Sequence, residues 1–164
     1  MLRTSWIKDL VNNTNNNLTL NDIILPGTHN SGSYQLNNYI DLSNNYKCAG
    51  IWPVSKIIKN WTLNQKYNIL EQLKMGVRIL DLDISFYNDK FYISHTFIVE
   101  ELENIIKQLV EFNNKYGDLY VLKIVYRYNI KSNHKKELSN LFYKYFETNY
   151  IKPENYDEPL TSPI

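Results

Sequence analysis

The spacing of apolar positions changes several times along this chain, and each change marks an element. Glu100 to Tyr116 carries Leu102, Ile105, Ile106, Leu109, Val110 and Phe112 at helical spacing, which predicts an amphipathic helix. Gly117-Asp118 breaks it, and Leu119 to Tyr126 reads as a strand. Asn133 to Tyr145 places Leu138, Leu141, Phe142 and Tyr145 on one stripe, a second amphipathic helix. Upstream, Asn68 to Met75 mixes Ile69, Leu70, Leu73 and Met75 with polar residues and stops at Gly76, a C-cap position, so a short helix is predicted. Val77 to Ile84 follows with apolar residues on both faces, as in a buried parallel sheet. Tyr87-Asn88-Asp89-Lys90 is a turn, and Lys90 to His95 is the next strand.

The N-terminal third is less regular. Trp6 to Leu10 reads as a short helix or an entry segment, Asn12 to Asn17 as a polar loop, and Leu20 to Leu25 as the first strand. Ser31 to Asn45 reads as a long loop with a short helix, Ile57 to Thr62 has no decisive pattern, and Pro153 to Pro163 reads as a loop or frayed tail. Helices alternating with apolar strands imply an α/β layered fold with mainly parallel strands. There is no internal repeat and no linker, so a single domain is expected.

Composition narrows the function classes. The 164 residues suffice for one core, and 43% hydrophobic with 14% aromatic content argues against disorder. A net charge of +1 removes any bulk electrostatic case for nucleic acid or an anionic membrane. Cys48 is the only cysteine, so no intrachain disulfide can form. Met1 to Val11 does not read as a signal peptide, and no apolar run is long enough to span a bilayer. A cytoplasmic or membrane-peripheral location is the default expectation.

The chemistry concentrates in Leu25-Pro26-Gly27-Thr28-His29-Asn30-Ser31-Gly32, which follows the apolar run Ile23-Ile24-Leu25. A histidine at the mouth of a strand is where an α/β barrel puts its chemistry, and histidine exchanges protons at low cost near neutral pH. Val77 to Asp83 and the strand ending at Ser94-His95-Thr96 would bring a second histidine and two carboxylates to the same face. Asp81 and Asp83 lie two apart on a strand, so their side chains point the same way. Arg78 shares the parity of Leu80 and Leu82 and reads as structural, pairing with a helix carboxylate. Lys123 shares the parity of Val125 and is a weak candidate for a cation facing the site. Each residue also has a plainer reading: His29 as a turn histidine, His95 as a core histidine, Asn30 bonding its own backbone, the aspartates capping turns, and His134 beside Lys135-Lys136 as a solvated surface group.

These residues in this order resemble the X region of phosphatidylinositol-specific phospholipase C. The resemblance runs from Trp6 and Leu20-x-x-Ile23 through Leu-Pro-Gly-Thr-His-Asn-Ser-Gly. It continues with Trp61, Gln65, Ile69, Gln72-Leu73, Gly76-Val77-Arg78 and Leu80-Asp81-Leu82-Asp83, and ends with Ser94-His95-Thr96 and the strand Tyr120 to Val125. It implies a distorted TIM barrel that cleaves inositol phospholipids, with His29 and His95 as the catalytic pair. His29 would act as general base on the inositol 2-hydroxyl, and His95 would protonate the diacylglycerol leaving oxygen, giving a cyclic inositol phosphate first. Metal-independent members carry Asp after the first histidine and Arg at the second acidic-strand position. Calcium-dependent members carry Asn and two carboxylates, so Asn30, Asp81 and Asp83 imply a Ca²⁺ site.

Two departures qualify what the resemblance implies. Val125 stands where calcium-dependent animal enzymes carry a further acidic ligand. A barrel of this kind runs about 250 residues, so residues 1–164 are expected to be a single X-type domain supplying the N-terminal half of a barrel, with 154–164 a tail. On this reading, headgroup-binding residues and an acidic partner for His29 have no counterpart. Expected partners are a phosphoinositide lipid at a membrane surface and, for an incomplete barrel, a second chain that completes it; no nucleic acid is expected. A catalytically incompetent half-barrel that binds a headgroup or partner is the alternative function. A glycerophosphodiesterase is less favoured because its His-Arg strand motif is absent.

Overall fold

In the computed structural model, residues 3–14, 18–36 and 54–147 are described, without the side chains of residues 55 and 56. The second part of the predicted long loop, Cys48 and the C-terminal tail lie outside these residues. The elements are α1 (Trp6–Asn13), a two-residue strand β1 (Gly27–Thr28), α2 (Val54–Thr62), α3 (Ile69–Lys74), β2 (Ile79–Tyr87), β3 (Lys90–His95), β4 (Phe97–Glu101), α4 (Leu102–Tyr116), β5 (Val121–Tyr126) and α5 (Ser132–Phe146). They form a mixed α/β fold with a curled half-barrel sheet.

The strands are not mainly parallel. β2 pairs in parallel with β1 and β5, but antiparallel with β3, and β3 is antiparallel to β4. The β2–β3 hairpin turns at Asn88 and Asp89, both at positive φ, which these residue types tolerate. β4 was hidden because Phe97-Ile98-Val99-Glu100 runs straight into α4, and the reversal before it is made by Thr96 at φ 69 rather than by a turn residue. The expected first strand at Leu20 to Leu25 is instead a 3₁₀ turn over Leu20–Asp22, closed by reciprocal bonds between Thr19 and Asp22, followed by extended chain.

β2 is the axis of the fold, and its two faces differ. Leu80, Leu82 and Ile84 are fully buried in the main core with Ile69, Leu73, Ile105, Ile106, Leu109 and Phe112 of α3 and α4. The alternate residues Asp81, Asp83 and Ser85 are also buried but polar. Side-chain alternation thus gives one strand an apolar face toward the helices and an acidic face toward the hollow of the sheet. α3 is set by an Asn68–Glu71 capping box, and α4 ends at left-handed Gly117.

Just before β2, Arg78 is wholly buried, as its parity with the leucines required. It contacts Asp118 at 2.6 Å and donates to the carbonyls of Arg3, Thr4, Leu73 and Val77. Asp118 in turn accepts from the Ile7 and Lys8 amides, capping α1 from across the sequence. The partner carboxylate therefore lies just past the end of α4 rather than on a helix.

Candidate active site

β1 and β3 occupy the same edge of β2 at different heights: β1 pairs with Ile79 and Leu80, β3 with Ile84 to Tyr87. The gap between them is filled by the turn 29–32. Ser31 donates its amide to the Asp81 carbonyl at 2.8 Å, and its hydroxyl accepts from the Asp81 amide at 2.8 Å. Gly32 is required by space, since a Cβ there would lie 2.6 Å from Ile93. Asn30 takes φ 49, a left-handed position that asparagine tolerates. Buried Gln72 locks the turn from α3: its amide donates to the Ser31 and Tyr67 carbonyls and its oxygen accepts from the Thr28 hydroxyl.

This turn hangs His29 over the acidic face of β2. His29 Nδ1 lies 2.7 Å from Asp81 Oδ2, with the histidine side chain 75% exposed. His29 therefore has an acidic partner, contrary to expectation, and it comes from the neighbouring strand. Burial pushes the Asp81 carboxyl up, but His29, Lys123 and the Asn30 amide together outweigh that and hold it below its ordinary value. A carboxylate so held accepts, which fixes the proton of His29 on Nδ1 and leaves Nε2 as the free nitrogen.

His95, at the end of β3, is half-buried, and its Nδ1 lies 3.1 Å from the Thr62 carbonyl. A carbonyl only accepts, so Nδ1 again carries the proton and Nε2 is free. The end of α2 and the segment after it link the turn that carries His29 to the strand that carries His95. The Ser33 hydroxyl also donates to the Thr62 carbonyl, Asn64 accepts from the Asn30 side chain at 3.3 Å, and Gln65 donates to the His29 carbonyl at 2.7 Å. Gln65 and Gln72 were noticed only as parts of a motif, and Asn64 not at all. Isolated polar residues, in a loop or on a helix, carry no pattern until the partners are placed.

Asp83 Oδ2 accepts from Arg127 Nε at 2.7 Å, and this contact holds the guanidinium above its ordinary pKa. Lys123 Nζ stands 3.3 Å from Asp81 Oδ1, within ion-pair distance. Register explains both: Lys123 sits opposite Asp81 and Val125 opposite Asp83. The Arg127 amide donates to the Ile84 carbonyl and extends the ladder one residue beyond β5. The weak Lys123 expectation matches its position, whereas Arg127 was missed although it shares the parity of Lys123 and Val125. Asn30 Oδ1, Asp81 Oδ1 and Asp83 Oδ1 are buried without hydrogen-bond partners. No group of three or more His, Cys, Asp or Glu able to hold a metal occurs among the described residues. Outside the site, His134 is not purely solvated; it stacks on Phe86 at 3.9 Å.

No family model matches the chain. It is 28% identical over 110 residues to a PI-PLC X-box domain-containing protein of Dictyostelium discoideum, covering 65% of this chain and 14% of the relative. It is 32% identical over 74 residues to human PI-PLC X domain-containing protein 2, covering 42% of this chain and 24% of the relative. In fold it is similar to the phosphatidylinositol-specific phospholipase C of Listeria monocytogenes, with a TM-score of 0.64 at 18% identity over 89% of this chain and 47% of that one. A Staphylococcus aureus phosphatidylinositol-specific phospholipase C gives a TM-score of 0.59 at 17% identity, over 94% and 44%. The chain thus spans less than half the length of these structures and under a quarter of these curated relatives.

Proposed function

From a chain that carries a phosphatidylinositol-specific phospholipase C X region, we propose a phosphodiesterase that cleaves phosphatidylinositol-type lipids by paired histidine catalysis. The observation that carries the reading is the His29–Asp81 contact at 2.7 Å beneath an exposed imidazole. A base must be oriented, hold its free nitrogen outward and have its gained charge stabilised, and Asp81 supplies all three. His29 Nε2 would take the proton of the inositol 2-hydroxyl as that oxygen attacks phosphorus. The bond from phosphorus to the glycerol oxygen breaks, and protonated His95 gives its Nε2 proton to the departing alkoxide. The products are diacylglycerol and a cyclic inositol phosphate. The oxygens of Asn30, Asp81 and Asp83 suit a hard cation such as Ca²⁺, which when bound would acidify the 2-hydroxyl and offset phosphate charge.

Access to a lipid surface is supported by α2, the helix whose last carbonyl anchors His95. Ile57 and Trp61 lie one turn apart on it and are both exposed, Trp61 by 62%. No helix among the described residues is long and apolar enough to cross a membrane. The second reading, a headgroup-binding module completed by further strands, is favoured by β5, which pairs only with β2 among the described residues.

The test is hydrolysis of phosphatidylinositol vesicles by the chain and by His29→Ala and His95→Ala. Each substitution is expected to lower the rate by about a thousandfold. Vesicle binding without hydrolysis by the unsubstituted chain would select the binding module, and hydrolysis unchanged in both variants would overturn the catalytic assignment.

A further inference from the structure

We infer that Lys123 and Arg127 are built-in counter-ions that mask a latent divalent-cation site formed by Asn30, Asp81 and Asp83. The inference deepens the phosphodiesterase reading at the same site. The three residues are 5%, 5% and 4% exposed; Oδ1 of Asn30 and of Asp83 meets no donor, and Oδ1 of Asp81 faces only the Lys123 ammonium at 3.3 Å. A buried oxygen without a donor is costly, and each such group calls for an explanation, a ligand that meets it among them. Each side chain is also held by its other polar atom: Asp81 Oδ2 by His29, Asp83 Oδ2 by Arg127 and Asn30 Nδ2 by Asn64. The donors are therefore oriented in advance, and their chemistry is that of a hard-cation site.

Charge explains why such a site is masked. Asp81 and Asp83 carry two negative charges, and Lys123 and Arg127 bring two positive ones, so the cluster is neutral without a metal. Val125, on β5 between Lys123 and Arg127, which lies just past the strand, offers no ligand, so a divalent ion would enter an already balanced cluster short of one donor. The two partners are unequal in mobility. The lysine and arginine side chains are 64% and 44% exposed, whereas the aspartates are almost wholly enclosed. The cations can swing into water on their flexible stems, but the carboxylates cannot follow. The positive charge available to a phosphate at rest is thus organic, and a metal gains its ligands only by displacing it.

Calcium binding by titration calorimetry and terbium luminescence would be compared for the unsubstituted chain, Lys123→Met/Arg127→Gln, and the same double variant with Asp83→Asn. Removing both charges is expected to tighten Ca²⁺ binding by about tenfold or more, and Asp83→Asn is expected to abolish the gain. Should the double variant fail to fold by circular dichroism, each single variant is expected to show part of the gain. Equal affinity in the unsubstituted chain and a folded double variant would overturn the inference, and so would absence of any gain in folded variants. Binding is read directly, so loss of the catalytic reading would leave this result standing.

Discussion

Two carboxylate–cation clusters lie along β2, one just before its start and one on its acidic face, and they are built to opposite rules. Just before the strand, Arg78 and Asp118 are sealed, with the guanidinium and carboxylate both near zero exposure and their donors and acceptors spent on backbone groups of four segments. Along the acidic face, Asp81 and Asp83 are enclosed, but their cations reach out to solvent and both keep an oxygen without a hydrogen bond. The same residue types therefore serve different ends. A saturated pair fixes the chain in one arrangement; an unsaturated pair with mobile partners holds interaction capacity in reserve for a ligand.

Substitutions can break this contrast. Arg78→Met should have the largest effect, destabilising the fold by about 3–5 kcal/mol because Asp118 is left charged and buried. Chemical denaturation measures this, and a loss below 1 kcal/mol would show that the closed cluster does not hold α1 to the sheet. Gly32→Ala should cost about 1–3 kcal/mol by forcing the turn under His29 away from Ile93. Its diagnostic is a loss of vesicle hydrolysis at temperatures where the variant stays folded; stability and activity both at the unsubstituted level would contradict the tight fit. Lys123→Met, on the open cluster, should change stability by no more than about 1 kcal/mol, since the lysine is well exposed. A cost equal to that of Arg78→Met would erase the difference between the two clusters.

Most of the site was legible because it is local or periodic. The turn 25–32 announces itself through Pro-Gly, His and Asn, and the same-side placement of Asp81 and Asp83 follows from strand alternation alone. The burial of Arg78 was likewise set by its parity with Leu80 and Leu82. What escaped depends on register between distant segments. Nothing in the sequence says that β5 stands so that Lys123 faces Asp81, or that the ladder runs on to Arg127. The His29–Asp81 pair spans 52 residues and exists only because the turn drops into the gap between β1 and β3. The mixed sheet was misread for a related reason: β4 is short, follows a β-branched residue at positive φ, and carries no turn signal of its own.

The Thr62 carbonyl has a consequence for how this site tolerates change. It receives both the Ser33 hydroxyl and His95 Nδ1, using the two lone pairs of a group that a helix end ordinarily leaves to water. Because that acceptor is a main-chain atom, every amino acid at position 62 supplies it. No side-chain substitution at position 62 therefore removes the acceptor itself, which can be lost only through a shift of the helix end that the buried Thr62 side chain helps to hold. Mutational drift can reach it only by moving the helix, and only replacement of the peptide bond itself, as by an ester, would weaken the acceptor in place.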